Sequence, residues 1–276
     1  MPELGLGTWE MGGRKDHDQS NDDEADFQAI KRALDQGLTH IDTAEIYADG
    51  YTEILVGKAI AGYDRTKIFL ASKVQANNLG YDNVLRACVD SLKRLGTDFL
   101  DLYLLHRYSS SFPLKDSIRA LDKLVADGLV KNIGVCNFTA EHLAEAQSYT
   151  NNKIVCNQVH YNLEFREPEK KNLLAYCQNN DVFLSAWRPV QKGSLLNNIP
   201  LVLQETCDKY KKTPAQVAIN WLISQPNVIT LSKMRNPKHL EENLGALGWQ
   251  MELEDIEKLR TQYPNQQSVS DAVPLA

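Results

Sequence analysis

Two rhythms of apolar residues alternate along this chain from one end to the other. Short runs of strand length, among them LTHIDTA (38–44), IFLASKV (68–74), FLDLYLLH (99–106), VKNIGVCN (130–137) and IVCNQVHY (154–161), are bounded by glycine or polar residues. Between them apolar residues recur every three or four positions, the spacing of one helix face. Residues 21–37, NDDEADFQAIKRALDQG, predict the first helix. Asn21 can cap it, Asp22, Asp23 and Glu24 suit the positive end of its dipole, Phe27, Ile30 and Leu34 share a face, and Gly37 can end it. Val84, Leu85, Cys88, Leu92 and Leu95 keep the same spacing up to Gly96. A helix opens at Pro168, and another at Thr213, Pro214 and Gln216, a capping box with proline at the first helical position. VFLSAWRP (182–189) and VITLSKM (228–234) are the last strand-like runs, with two helical segments between them. Helices opening at Asn236–Pro237 and around Leu253 to Tyr263 finish the chain.

Counting GLGTW (5–9), eight strand-like runs are each followed by a helix, and no Pro/Gly/Ser-rich linker interrupts them. That order predicts parallel strands joined by right-handed crossovers. A closed (β/α)8 barrel fits better than an open doubly wound sheet, which would carry a GxGxxG turn between an early strand and its helix; here GLG leads into TW. The expectation is one domain over residues 1–276, an α/β TIM barrel with an extra C-terminal helix.

Length and charge narrow the function. A chain of 276 residues suits a barrel of roughly 250. Thirty basic against 36 acidic residues leave no basic excess for nucleic acid or anionic lipid. The opening MPELGLGTWE has no basic and apolar leader, and no run approaches the roughly 20 apolar residues of a membrane span. Cys88, Cys136, Cys156, Cys177 and Cys207 are widely spaced, without a CxxC or Cys/His grouping suited to zinc. They read as buried free thiols in a reducing compartment. The expectation is a cytoplasmic protein acting on small molecules, without a metal; oligomeric state is open, with a monomer slightly preferred.

Barrel enzymes work at the carboxyl ends of their strands. The second strand-like run has Asp42 near its end and Tyr47 just beyond, the third Lys73, and the fourth ends in His106. Neighbouring strands lie about 4.8 Å apart, so these side chains can converge. Together they suit proton transfer to a carbonyl oxygen. A free phenol titrates near 10, too weak an acid for efficient work at neutral pH, and a lysine ammonium beside Tyr47 is expected to lower that value. Asp42 would keep Lys73 charged, and a neutral His106 could orient the carbonyl.

These motifs carry a family resemblance. GLGTW, HIDTAEIY, ASKV, DLYLLH, GVCNF, NQVHYN, AWRP and HLEENLGAL fall in the order and spacing of the aldo-keto reductases, along essentially the whole chain. The chain is identified as resembling that family, which implies reduction of aldehydes and ketones by NADPH, with NADH the alternative. By the same resemblance Tyr47 is the general acid, Lys73 and Asp42 are its tuning pair, and His106 orients the substrate. The cofactor's share is Gly7, Thr8, Trp9, Asp42, Cys136, Asn137, Asn157, Gln158, Trp187, Arg188, Pro189, Lys233, Arg235, His239, Glu242 and Asn243. Asn157 and Gln158 are expected to hold the carboxamide, Trp187 to stack on the nicotinamide, and Lys233 and Arg235 to meet the 2′-phosphate beside a helix start. Trp9, Tyr47, His106 and Arg107 are expected to line the substrate pocket.

The chain departs from the family pattern at several places. Cys136 stands where serine is usual, Trp187 where tyrosine is common, and Arg107–Tyr108 where Trp-Pro is frequent; Arg188 replaces a small residue. Arg107 suggests a pocket open to polar or anionic carbonyl compounds. Only four residues precede GLGTW and only a short tail follows the last helix, so a less covered barrel bottom and an open pocket are expected. Two other readings remain: a cofactor-sensing regulatory subunit like the potassium-channel β subunits, and an isomerase or aldolase with Lys73 as a Schiff base. The second sits poorly with Asp42, which favours a charged lysine.

Overall fold

Strands buried on both faces read as nearly continuous apolar runs, and these runs form a parallel barrel. The computed structural model describes residues 1–276. Its strands are β1 (Leu4–Gly7), β2 (His40–Asp42), β3 (Phe69–Val74), β4 (Leu102–Leu105), β5 (Ile133–Cys136), β6 (Ile154–His160), β7 (Phe183–Trp187) and β8 (Val228–Ser232). Each pairs with the next in parallel, and β8 pairs with β1 to close the ring. The helices are α1 (Asp23–Asp35), α2 (Tyr51–Ile60), α3 (Tyr81–Leu95), α4 (Leu114–Ala126), α5 (Ala140–Ser148), α6 (Glu167–Lys170), α7 (Leu173–Asn179), α8 (Leu201–Tyr210), α9 (Pro214–Ile223), α10 (Pro237–Leu244) and α11 (Leu253–Gln262). No helix is long and apolar enough to cross a membrane.

Local chemistry sets most of the helix ends. Thr213 and Gln216 form the reciprocal capping box at α9, and Gly96 ends α3 at φ 62°, where a left-handed residue satisfies the last carbonyls. Two expectations need correction. Asp22, not Asn21, caps α1 by accepting from Ala25 N; the Asn21 amide is drawn away to Asp23 and Asp26. The helix opening at Pro168 is two pieces, α6 and α7, because Asn172 at φ 57° breaks the run between them.

Strand side chains alternate between faces. With Lys73 facing the barrel axis, so do Ala71 and Phe69 on β3, and the same parity applies to His40 and Asp42 on β2. A small cluster of Ala71, Leu102, Leu104, Cys136 and Cys156 fills the barrel, and Met1, Phe69 and Val155 pack against it. At the amino-terminal end of the barrel Met1, Phe69 and Val155 are each half-buried against this cluster. The larger core, which includes Val74, Val135, Val159 and Trp221, joins the barrel's outer face to the helices. All five cysteines are buried and free.

Candidate active site

Period-two alternation delivers Asp42, Lys73, Cys136, Gln158, His160 and Trp187 to the inward face at or near the carboxyl ends of their strands. Lys73 has no exposed surface. Its ammonium donates to Asp42 Oδ1 at 2.6 Å, the Thr43 carbonyl at 2.8 Å and the Tyr47 hydroxyl at 3.2 Å, which uses all three of its N–H bonds. Asp42 is equally committed, since its Oδ2 accepts from Gln158 Nε2 at 2.9 Å. Burial alone would strip the proton from Lys73, but the Asp42 carboxylate, helped by Tyr47, outweighs it and holds the ammonium above the usual lysine range.

Tyr47 opens a short 3-10 turn, Tyr47–Gly50, in which Ala48 and Asp49 adopt left-handed φ of 48° and 50°. Glu45 N donates to the Lys73 carbonyl, and Ala48 N to that of Arg14, so the loop is tied down on both sides of the phenol. Trp9 meets the Tyr47 ring edge to face at 4.9 Å, and His106 does so at 5.7 Å. The phenol's acidity differs from expectation. Burial pushes its pKa up to about 12, and the pull of Lys73 in the other direction only partly offsets this. The expected lowering fails because the same walls that bring Lys73 close also exclude water. His106 is held well below the ordinary imidazole range by burial, with Lys73 and Arg107 adding to it, so its ring is neutral.

The cofactor candidates divide into those that meet at the mouth and those that do not. Cys136 pairs with Gln158 across β5 and β6, and burial pushes its thiol well above its normal pKa. Asn137 follows at φ 60°, and its buried Oδ1 has no hydrogen-bond partner. Asn157 points the other way: its Nδ2 donates to the Phe138 carbonyl at 2.9 Å and its Oδ1 accepts from Phe138 N, so it braces the β5 exit instead of reaching the mouth. Thr8 likewise spends its side chain on the Asp42 carbonyl, while Gly7 and Trp9 stay half-open beside it.

On the far side, Trp187 and Arg188 are half-buried and Pro189 is buried. Past β8, Lys233 lies 3.4 Å from Glu10, and Arg235 pairs with the buried Asp26 at 2.9 Å, so each cation already has an acid. His239 is exposed on α10, Glu242 is half-buried, and Asn243 donates to Ser232 Oγ at 3.1 Å. Arg107 is exposed and forms no ion pair; Tyr108 turns away to stack on His142 at 4.0 Å.

Four residues outside the expected set converge here. His160, at the end of β6, contacts Ser270, Gln191 and Trp187, and Asp271 contacts Arg188 and Gln191. The tail is therefore docked along the β5–β7 side of the mouth, where Ala276 N donates to the Asn137 carbonyl and Thr139 N to that of Ala276. His160 shares inward parity with Gln158, a signal the sequence did offer; the tail's contacts had none.

A closed parallel barrel with a buried lysine, aspartate and tyrosine at its carboxyl-terminal mouth defines an enzyme of the TIM-barrel class. Comparison with known proteins narrows the class. The model of the Aldo/keto reductase family matches residues 3–263. Methylglyoxal reductase YeaE of Escherichia coli is 35% identical over 268 residues, covering 96% of this chain and 92% of the relative. The thermostable aldo-keto reductase Tm1743, solved with the inhibitor epalrestat, superposes with a TM-score of 0.90 at 41% identity, covering 94% of both chains. An aldo/keto reductase of Klebsiella pneumoniae, solved with NADP and acetate, gives a TM-score of 0.85 at 32% identity over 100% of this chain and 96% of that one. This chain belongs to the aldo/keto reductase family.

Proposed function

We propose that the protein reduces small, reactive aldehydes and ketones to alcohols with NADPH, and that Tyr47 gives the proton. The observation that carries this reading is the direction of the Lys73 hydrogen bond. Lys73 donates to the Tyr47 oxygen at 3.2 Å, so the phenol is an acceptor on that side and keeps its own proton for a third group. A bound reduced nicotinamide supplies the hydride. As the carbonyl carbon accepts it, the carbonyl oxygen gains the basicity of an alkoxide, comparable with hydroxide, whose conjugate acid titrates at about 15.7. A phenol near 12 still gives up its proton downhill to that oxygen. Neutral His106 makes no side-chain hydrogen bond within the protein, and donates to the same oxygen to fix its direction.

The residues present fit the cofactor. Asn137 Oδ1 is a buried acceptor without a partner, and Gln158 Oε1 accepts nothing within the chain. They lie at the ends of paired strands, and two such acceptors suit the NH2 of a nicotinamide carboxamide. Lys233, Arg235 and the amides opening α10 suit a 2′-phosphate, for which the carboxylates of Glu10 and Asp26 hold the cations in place. The Klebsiella relative solved with NADP supports the same choice. The methylglyoxal reductase relative supports a small, reactive carbonyl as substrate, and the exposed, unpaired Arg107 supports tolerance of an anionic group on it.

The test is consumption of NADPH with methylglyoxal and with a panel of neutral and acidic aldehydes. Many turnovers per protein, with one alcohol formed per NADPH, are expected. Tight NADPH binding without turnover would leave a sensing role instead.

A further inference from the structure

Four side chains from three parts of the chain close a ring of hydrogen bonds beside Trp187. Ser270 Oγ accepts from Ala272 N and Val273 N, which leaves its proton for His160 Nδ1 at 2.8 Å. His160 Nε2 then carries the hydrogen and donates to Gln191 Oε1 at 2.9 Å. Gln191 Nε2 donates to Asp271 Oδ2 at 3.2 Å, and Asp271 follows Ser270 in the chain, so the circuit closes. Arg188 Nη1 joins it at Asp271 Oδ1, 3.3 Å away, and Asn162 Nδ2 donates to the Arg188 carbonyl at 2.9 Å. Burial keeps the His160 imidazole neutral above about pH 4, as this wiring requires.

The same imidazole is the middle layer of a stack. The Trp187 indole lies 4.3 Å from it at 9°, and Phe165 4.4 Å away at 21°. His160 is 2% exposed, so its ring cannot swing aside without opening the mouth. With one indole face against His160, a flat ligand has only the other. The adjoining turn is strained, since Arg188, Gln191 and Lys192 have φ of 60°, 44° and 56°. Side chains rarely adopt this left-handed conformation, so the turn persists only where its surroundings hold it. The groups that hold it are Asn162, His160 and the tail.

We propose that His160 is a positioning residue for the cofactor: it sets the plane of the Trp187 ring and, through Ser270, Gln191 and Asp271, makes the C-terminal tail the latch of the Arg188–Lys192 turn. The latch slows the release of a nicotinamide dinucleotide that lies against Trp187 and under that turn. Hydride and proton transfer do not involve it. The inference rests on the NADPH reading above.

Two variants separate its parts. His160→Leu removes the stack and both hydrogen bonds, while Asp271→Ala, at an exposed site, keeps the stack and removes the tail's contacts with Arg188 and Gln191. NADPH dissociation constants are read from protein fluorescence, release rates from stopped flow, and kcat at saturating cofactor. The expected result is about tenfold weaker binding and faster release in His160→Leu, and faster release in Asp271→Ala, with kcat not reduced in parallel; tenfold is the effect of losing about 1.4 kcal/mol. Unchanged affinity and release in folded variants would overturn the proposal, as would a loss of kcat at unchanged affinity. If His160→Leu fails to fold, Asp271→Ala alone decides. A wild-type protein that does not bind NADPH would instead overturn the functional reading.

Discussion

Gln158 donates to Asp42 Oδ2 at 2.9 Å, which joins the end of β6 to the end of β2 across the mouth of the barrel. One oxygen of that carboxylate serves Lys73 and the other serves Gln158. The group proposed for the carboxamide and the ion pair behind the proposed proton donor therefore form one network. Gln158→Leu leaves a buried carboxylate oxygen without a donor, at a cost of about 1–3 kcal/mol. A lower melting temperature and roughly tenfold weaker NADPH binding are expected, the latter equivalent to about 1.4 kcal/mol. Unchanged NADPH affinity would separate Gln158 from the cofactor.

Asp42→Asn should be more damaging. Lys73 would remain buried without a counter-charge, and breaking such a pair typically costs about 3–5 kcal/mol. Replacing both partners, as Asp42→Leu with Lys73→Met, should recover much of the stability in urea unfolding without restoring reduction. Full stability in Asp42→Asn would show that the ion pair does not hold Lys73 in its charged form.

Most of the fold was legible because a barrel strand needs apolar residues on both faces, and FLASKV and LYLL show them plainly. Asp42, Lys73 and His106 were legible as candidates for a related reason: they are polar residues at or near the ends of such runs. Asn157 misled, because adjacent strand residues face opposite sides and only Gln158 can share the mouth with Asp42. The rise in the Tyr47 pKa was not legible, since it depends on how much water the assembled walls exclude. Nor was the latch, whose partners His160 and Ser270 are 110 residues apart.

Acid should destabilise the protein through His40 at the barrel's amino-terminal end. Burial depresses its folded pKa to about 4 from the ordinary imidazole value of 6.5. The unfolded imidazole takes up a proton as pH falls through 6.5, while the folded one stays neutral until about 4. Stability is therefore complete above pH 6.5 and falls toward pH 4, by up to about 3 kcal/mol for this residue. His160, also near 4, adds a slope of the same sign. His40→Phe keeps a ring over Gly5 and should flatten the dependence of unfolding free energy on pH from 7 to 4.5. Identical slopes in wild type and variant would contradict this.

Cofactor preference should lie in Lys233. Its partner Glu10 is 3.4 Å away and neither side chain is fully buried, so Lys233→Met should hardly alter stability. NADPH affinity should fall about tenfold, equivalent to about 1.4 kcal/mol, with NADH affinity nearly unchanged. Equal losses for the two cofactors in fluorescence titration would remove Lys233 from the phosphate site.

Whether Tyr47 delivers the proton is decided by the rate of methylglyoxal-dependent NADPH oxidation in wild type and Tyr47→Phe, with both proteins saturated with cofactor. Loss of a general acid typically costs about a hundredfold to ten-thousandfold. A fall in kcat of that order with NADPH binding retained is expected; equal rates in the two proteins would rule out Tyr47 as the acid.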